Sequence, residues 1–472
     1  MEVLPRIKNI IQLEPSFWER DEKIEDIFTP LASIPHSVLL LSGGDGDCSR
    51  YSFAGIEPFL IVQCWRDLVE IKNKSGKTVR LKGNPFDIVQ SILDHLKVDT
   101  QGSDAPFCAG AMGYWGYDLR YQLERLPDIG NDDLLIPDLY LVFPSVIITL
   151  DRDNNHFVLN LVETDIDSFE QDSVSDKVER LIKWSRYWHS HLFNLPEPVS
   201  KGKYETNFTK EEYIGAIDKT RDYIRHGHIY QVNISQRFTF PFEGSDYLLF
   251  RKLFRLNPAS FFAYMNCGDF TVLSTSPERF IYRNGDYIET RPIKGTRPRG
   301  KTSDEDEKLQ RELIESWKED AELSMIVDLL RNDLGKVCLP GTVKVKEHKR
   351  IEAYQNVFHL VSIVEGRLPE HCRHMDILKA VFPGGSITGC PKVRAMEIIE
   401  ELETVKRNIY TGSIGYVGLN GTMDLNIAIR TAIRKGDKLY LSVGGGIVYG
   451  SEPEAEYMET IHKGETFLQL LS

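Results

Sequence analysis

The sequence predicts an α+β protein, and three observations carry that expectation. Uninterrupted β-type runs recur early, in HSVLLLSG, FLIVQCW and LYLVFPSVIITL. Helical spacing appears in separate blocks later in the chain rather than alternating with strands one for one, which disfavours a regular βαβ wheel. Finally, 472 residues exceed the size at which one core stops growing, so two lobes or one large composite core are expected.

Taken in order, the β-type runs come first and are followed by the aromatic helical stretch Lys177–Phe193. A boundary is predicted at LPEPVSKGKYET, where two prolines, a glycine and lysines interrupt the pattern. This divides an N-terminal lobe, 1–195, from a linker, 196–206, and a second region, 207–472. Beyond the linker, Lys210–Gly227 reads as a helix and IYQVNISQRFTF as a strand. Lys308–Asp333 reads as one helix with Leu309, Leu313, Trp317, Ala321, Met325 and Leu329 on its apolar stripe, stopping at Gly335. Ser451-Glu452-Pro453-Glu454 reads as a capping box opening a final helix to about Leu471.

Composition narrows the function. Apolar residues at 41% and charged residues at 27% are ordinary for a globular protein. No run approaches the roughly 18 apolar residues of a membrane span; the densest, Leu139 to Leu150, carries Pro144. The start, MEVLPRIKNI, has no apolar h-region. Seven cysteines at 48, 64, 108, 267, 338, 372 and 390 form no C-x-x-C pair, which fits a reducing cytoplasm. A net charge of −13 argues against a general nucleic-acid binder, so an anionic ligand needs a local concentration of cations.

Four constellations stand out. Glu319 and Glu322, and again Glu456 and Glu459, lie three apart on predicted helices and so share a face. Either pair alone is ordinary solvated surface, but two such helices meeting would make a hard oxygen site suited to Mg²⁺. Phe382-Pro383-Gly384-Gly385-Ser386-Ile387-Thr388-Gly389-Cys390-Pro391-Lys392 offers backbone amides ahead of a helix opening near Val393; it reads equally as a tight turn. Gly444-Gly445-Gly446 allows either close backbone approach to a ligand or a bulge. Arg291-Pro292-Ile293-Lys294-Gly295-Thr296-Arg297-Pro298-Arg299 gathers four cations; by composition alone such a run is ordinarily solvated surface or a phosphate contact. A lysine partly desolvated among cations loses proton affinity and can serve as an amine nucleophile. No G-x-C-x-G or G-x-S-x-G elbow and no dinucleotide fingerprint is present.

In register, these segments resemble the chorismate-utilising enzymes, which include anthranilate synthase component I, aminodeoxychorismate synthase component I, and the isochorismate and salicylate synthases. The resemblance is dense over 205–472. It runs through Tyr230-Gln231-Val232-Asn233, Ser276-Pro277-Glu278-Arg279-Phe280, Val327-Asp328-Leu329-Leu330-Arg331-Asn332-Asp333, His359-Leu360-Val361-Ser362, Tyr410-Thr411-Gly412 and Ile429-Arg430. It implies large antiparallel sheets forming a two-lobed β-sandwich core flanked by helices, as in anthranilate synthase component I. It also implies Mg²⁺ bound by Glu322 and Glu459, with Glu319 and Glu456 acting through water. Arg430 and Tyr410 would hold the enolpyruvyl carboxylate of chorismate, with Gly385, Thr388, Gly445, Gly446 and Lys463 completing the cradle. His359 would lie against the ring, and Glu278 would be a general acid, its proton affinity raised by burial.

Two positions sort the branches. The water-adding enzymes carry a lysine base where Gln231 stands, and an amide cannot deprotonate water. The P-I-x-G-T motif reads Pro292-Ile293-Lys294-Gly295-Thr296, as in aminodeoxychorismate synthase component I, where anthranilate synthases carry alanine. The resemblance therefore implies amination of chorismate at C4 through a covalent Lys294 adduct, giving 4-amino-4-deoxychorismate for p-aminobenzoate and folate synthesis. Ammonia would come from a glutamine amidotransferase partner in a heterodimer. Anthranilate synthase component I and a non-catalytic amino-acid-binding subunit are the alternatives. Ser42, Arg50, Tyr51, Asn257, Pro258 and Met265 resemble the family's tryptophan pocket, although its Pro-Tyr-Met pattern reads Ser260-Phe261-Phe262 here.

Overall fold

The computed structural model describes residues 3–18, 22–98, 105–170, 172–190 and 195–471. Its frame is an extensive antiparallel β network with helices laid against it. The LYLVFPSVIITL run forms the strand Leu139–Asp151, buried along almost its whole length. It is covered on both faces, which explains why its sequence does not alternate. It pairs with Tyr51–Trp65 from Tyr51↔Asp151 to Cys64↔Leu139. The strand Gln231–Glu243 pairs with Lys438–Ile447 over ten positions, from Val232↔Ile447 to Pro241↔Lys438.

The predicted boundary divides the sequence but not the sheet. Val38–Leu41 pairs with Phe261–Asn266, and Gly110–Trp115 pairs with Ser413–Gly418. One apolar cluster accordingly holds Leu60, Phe143 and Trp115 together with Phe280, Leu360 and Leu425. Residues 199–200 and 205–206 of the expected linker also make short pairings with the Gln231–Glu243 strand.

Several helices follow their sequence signals. Lys210–Arg225 opens on a capping box in which the Thr209 hydroxyl accepts from the Glu212 amide and the Glu212 carboxylate accepts from the Thr209 amide. Val174–Ser190 falls within the expected aromatic stretch, whose last residues, 191–193, lie outside the described residues.

Two expectations fail. The block read as one helix is two, Ser303–Glu315 and Trp317–Gly335, broken at Ser316, whose hydroxyl caps the second by accepting from the Glu319 amide. The break shifts the helical phase: Trp317 is 82% exposed, and the buried face runs through Leu323, Ile326, Val327, Leu330 and Leu334. A continuous-period reading cannot register such a break, because a cap is a local hydrogen bond with no effect on apolar spacing. At the other end, Ser451 does not cap the Pro453–Leu471 helix through Glu454. Its hydroxyl accepts from the Val448 amide, and Glu454 pairs with Lys210.

No helix among the described residues is long and apolar enough to cross a membrane, and all seven cysteines are free thiols.

Candidate active site

The site lies where Gln231, Glu278, Lys294, His359, the glycine triplet and two helices come together. Lys294 sits on the Ile293–Pro298 strand, and Gly295 beside it takes φ +75°, irregular backbone that breaks the pairing register between Lys294↔Leu360 and Thr296↔His359. The Lys294 side chain is 17% exposed, with Nζ 3.8 Å from Glu322 Oε2.

Lys294 does not stand in a field of free cations. Arg291 is held by Glu289 and Asp47, and Arg297 lies 3.5 Å from Glu319. The expected like-charge environment is therefore absent, because the sheet delivers a carboxylate to each neighbouring cation and Glu322 to Lys294 itself.

The reason for three successive glycines is steric. A Cβ on Gly446 would lie 2.7 Å from Gln231 Nε2 and 3.2 Å from Lys294 Nζ; one on Gly445 would lie 3.1 Å from Glu456 Oε2. The backbone of the triplet thus forms a wall against which the amine, the amide and the carboxylates are packed. Gln231 is 1% exposed, and neither its amide oxygen nor its amide nitrogen has a hydrogen-bond partner within the protein. Buried amides are rarely left so, and both ends of the Gln231 amide are free to bond a ligand.

Glu278 is buried. The Ser386 hydroxyl donates to its Oε1 at 2.8 Å. Burial raises its pKa to about 7, against the opposing pulls of Ser386, Lys294, the Ile293 amide and Arg430. His359, with Nδ1 3.0 Å from Thr296 Oγ1, is driven to about 3 by burial and by Arg430, so it is neutral at physiological pH. Arg430 holds φ +50°, a left-handed backbone costly to a non-glycine residue. Its guanidinium has no ion pair and no hydrogen bond among the described residues, and burial lowers its proton affinity. Tyr410 precedes Thr411, another left-handed residue at φ +61°, whose amide donates to the Ala428 carbonyl. That bond draws Tyr410 against the segment carrying Arg430. An unpaired guanidinium, an unpaired amide and a carboxyl whose pKa is raised to about 7 thus stand in one place, chemistry suited to binding an anion and giving it a proton.

Other predicted residues stand differently. The glycine loop is buried rather than open: Gly385 abuts Leu329, and the Thr388 hydroxyl is spent on the Gly384 carbonyl at 2.8 Å. Lys463 donates to Glu459 at 2.7 Å and to the Gly444 carbonyl at 2.9 Å. Among the described residues, no three His, Cys, Asp or Glu side chains stand close enough to hold a metal ion. Of the four glutamates, Glu319, Glu322 and Glu459 each lean on a cation as they stand. Glu456 has its pKa raised, first by burial and then by the neighbouring charge of Glu459, with the Ser451 hydroxyl pulling the other way.

Ser386, Thr296 and the Lys392–Asp333 ion pair were not singled out from the sequence. Ser386 and Lys392 lie inside the glycine loop, but only the tertiary fold gives them partners.

Ser42, Arg50 and Tyr51 line a separate cavity of about 470 Å³ between the two halves of the chain, with Ser260 and Phe261. Asn257, Pro258 and Met265 do not line it. Asn257 ends a helix, Pro258 packs against Gly43, and Met265 is fully buried opposite Val38. The cavity's arginines are paired within the protein: Arg279 with Glu289 and Asp424, Arg291 with Glu289 and Asp47.

This arrangement defines a class: an antiparallel-sheet protein with a buried acid, an amine and an unpaired guanidinium gathered in one site. The chain belongs to the chorismate binding enzyme family, whose model matches residues 48–469. It is 38% identical over 458 residues to aminodeoxychorismate synthase component 1 of Escherichia coli K12, covering 96% of this chain and 97% of that one. It is 37% identical over 432 residues to anthranilate synthase component 1 of Acetivibrio thermocellus, covering 90% and 87%. Anthranilate synthase component I from Streptococcus pneumoniae TIGR4 superposes with a TM-score of 0.78 at 30% identity, covering 90% of this chain and 93% of that one. The expected anthranilate synthase component I-like fold is therefore present, and the chain is a chorismate-utilising enzyme.

Proposed function

We propose that the chain aminates chorismate at C4, giving 4-amino-4-deoxychorismate. Relatives of both product types are equally near, so overall similarity does not choose between them. The observation that carries the choice is Lys294, an amine set against Gly446 and Gln231 and within reach of Glu278's field.

In the first step the Lys294 amine, its ion-pair proton given up to solvent, bonds to C2 as a secondary ammonium, the ring double bond shifts, and the C4–oxygen bond breaks. The hydroxyl leaves as water with the proton of Glu278. Ammonia then bonds to C4 and the C2–nitrogen bond breaks, releasing Lys294 as a neutral amine. The new C4 ammonium returns one proton to Glu278, so chorismate and ammonia become aminodeoxychorismate and water. Arg430 and Tyr410 hold a substrate carboxylate, as a planar fork suits. Neutral His359 offers a flat face that does not compete for protons.

The four glutamates are hard oxygen donors of the type Mg²⁺ takes, though as they stand they are not gathered into a metal-holding group and three of them lean on cations the ion would displace. The repulsion that raises Glu456 beside Glu459 is the kind a cation relieves. Glu322 and Glu459 would bind it directly, and Glu319 and Glu456 through water. The ion would supply a clamp and Lewis acid for the ring carboxylate.

Ammonia comes, on this reading, from a glutamine amidotransferase subunit paired as a heterodimer with this chain. Two features support it: the relatives' designation as component 1, and the lack of a thiol glutaminase elbow in this sequence.

The purified chain with chorismate, Mg²⁺ and ammonium salt is expected to form aminodeoxychorismate, identified by chromatography and mass; anthranilate as the main product would reject the assignment. Glu322→Gln and Glu459→Gln should each weaken Mg²⁺ binding, read by calorimetry, by more than the roughly 10–100-fold that outer partners of a metal cost. Unchanged Mg²⁺ affinity in both would remove the ligand assignment.

A further inference from the structure

Glu278 has two carboxyl oxygens, and the fold treats them differently. Ser386 Oγ donates to Oε1 at 2.8 Å. Ser386 is 8% exposed and lies on a single 3₁₀ turn, Gly385–Ile387. The position of its hydroxyl is imposed by the loop. Before the turn, Lys392 donates to the Val381 carbonyl at 2.8 Å and to Asp333 Oδ2 at 2.5 Å. Across the turn, Thr388 closes onto the Gly384 carbonyl. Gly385 packs on Leu329 of the Trp317–Gly335 helix, the same helix that carries Glu319, Glu322 and Asp333.

We propose that Ser386 is a positioning residue for the acid: by donating to Oε1 it directs the transferable proton to Oε2 and sets the pH at which Glu278 gives it up. The inference rests on the reading of Glu278 as general acid. A hydroxyl carries one proton, and in donating it to Oε1 it makes that oxygen the carbonyl-like one of a neutral carboxylic acid. The ionisable proton is then carried on Oε2.

The same bond stabilises the carboxylate more than the acid, because charge-assisted bonds are the stronger ones. Other groups acting on Glu278 are Lys294, Arg430 and the Ile293 amide, all of which also favour the anion; burial alone opposes them. Ser386 is the one member of this set whose removal leaves both cations and the strand intact. Lys392 and Asp333 act one step further out, by fixing the loop.

The sign of the effect follows. Loss of the hydroxyl removes a bond that favours the anion, so the acid holds its proton to higher pH. The measurement is an infrared titration of the carboxyl band in the free enzyme, with Glu278→Gln subtracted. Parent enzyme should titrate near pH 7. Ser386→Ala should titrate higher by about one pH unit, a tenfold change in proton affinity, the size expected for a hydrogen bond to a charged group. Ser386→Thr, which keeps the hydroxyl, should restore the parent midpoint. If the alanine variant is poorly folded, Ser386→Cys, a weak donor of similar size, should titrate above the parent, and an unmoved midpoint there overturns the proposal. A midpoint in Ser386→Ala that is unmoved or lowered overturns the proposal, as does Thr behaving like Ala.

The alkaline limb of kcat/KM, which reports the free enzyme, is measured in parallel and should follow the infrared midpoint. If the band shifts as stated while the kcat/KM limb ignores it in every variant, the general-acid reading of Glu278 fails and the control of its proton by Ser386 stands.

Discussion

Lys294→Ala is expected to lose C4 amination by on the order of 10³-fold or more, because the step that forms the covalent adduct has no substitute once the amine is gone. The protein should stay folded. The side chain contributes one partly buried ion pair, to Glu322 at 3.8 Å, and a pair that long is worth about 1 kcal/mol or less. Truncation also opens the space beside Gln231 and Gly446 that Nζ now fills. Ammonia admitted there can attack C2 directly, so the small residual product should be anthranilate. Single-turnover mixtures resolved by chromatography and mass give both yields. C4 amination at the parent rate would remove the covalent step from the mechanism and leave ammonia attacking C4 unaided.

The second large effect is predicted at Arg430. Its guanidinium has no ion pair and no hydrogen bond among the described residues, and it stands beside a buried carboxyl and a neutral histidine. Enclosing a charge without a partner is costly to the free enzyme, and the interaction is recovered when a substrate carboxylate arrives. Arg430→Met puts another non-glycine residue at the same backbone position, φ +50° in the parent, and keeps an unbranched apolar stem while deleting the charge. Its kcat/KM for chorismate should fall about 10²–10³-fold, corresponding to a buried charge pair of roughly 3–4 kcal/mol. Its melting temperature should equal or exceed the parent's, since the unpaired charge is gone. Calorimetric unfolding and steady-state kinetics on one preparation test both halves. A clear fall in melting temperature with KM unchanged would make Arg430 structural rather than a substrate anchor.

Both expectations concern residues the sequence singled out, but for reasons the structure partly replaces. Lys294 drew attention as a lysine among arginines. In the fold those arginines are tied to Glu289, Asp47 and Glu319, and the lysine faces Glu322 instead. The reading of charge along a strand failed because sequence spacing does not say which carboxylates other elements bring up. The glycine triplet drew attention as backbone open to a ligand. Gly445 and Gly446 turn out to face the Gln231 amide, the Lys294 amine and the carboxylates of Glu456 and Glu459. The separate cavity kept three of its six expected lining residues, since Met265 points into a sheet core that only strand pairing with Val38 creates.

What the sequence determined by itself was the local and the periodic: long buried strands, the existence of the main helices, an acidic chain with a confined cationic segment, and a series of short motifs in register with one family. Hydrophobic runs are patterns among near neighbours, so they are written where they act, whereas capping at Ser316 and Ser451 was settled only by the folded backbone. What only the tertiary structure decided was convergence. Glu278 meets Ser386 across 108 positions, and Arg120 meets Glu400 across 280. Burial then does what composition cannot: it raises one glutamate's pKa to about 7 and drives one histidine's down to about 3. Desolvation depends on every atom packed around a group, and those atoms come from the whole chain at once.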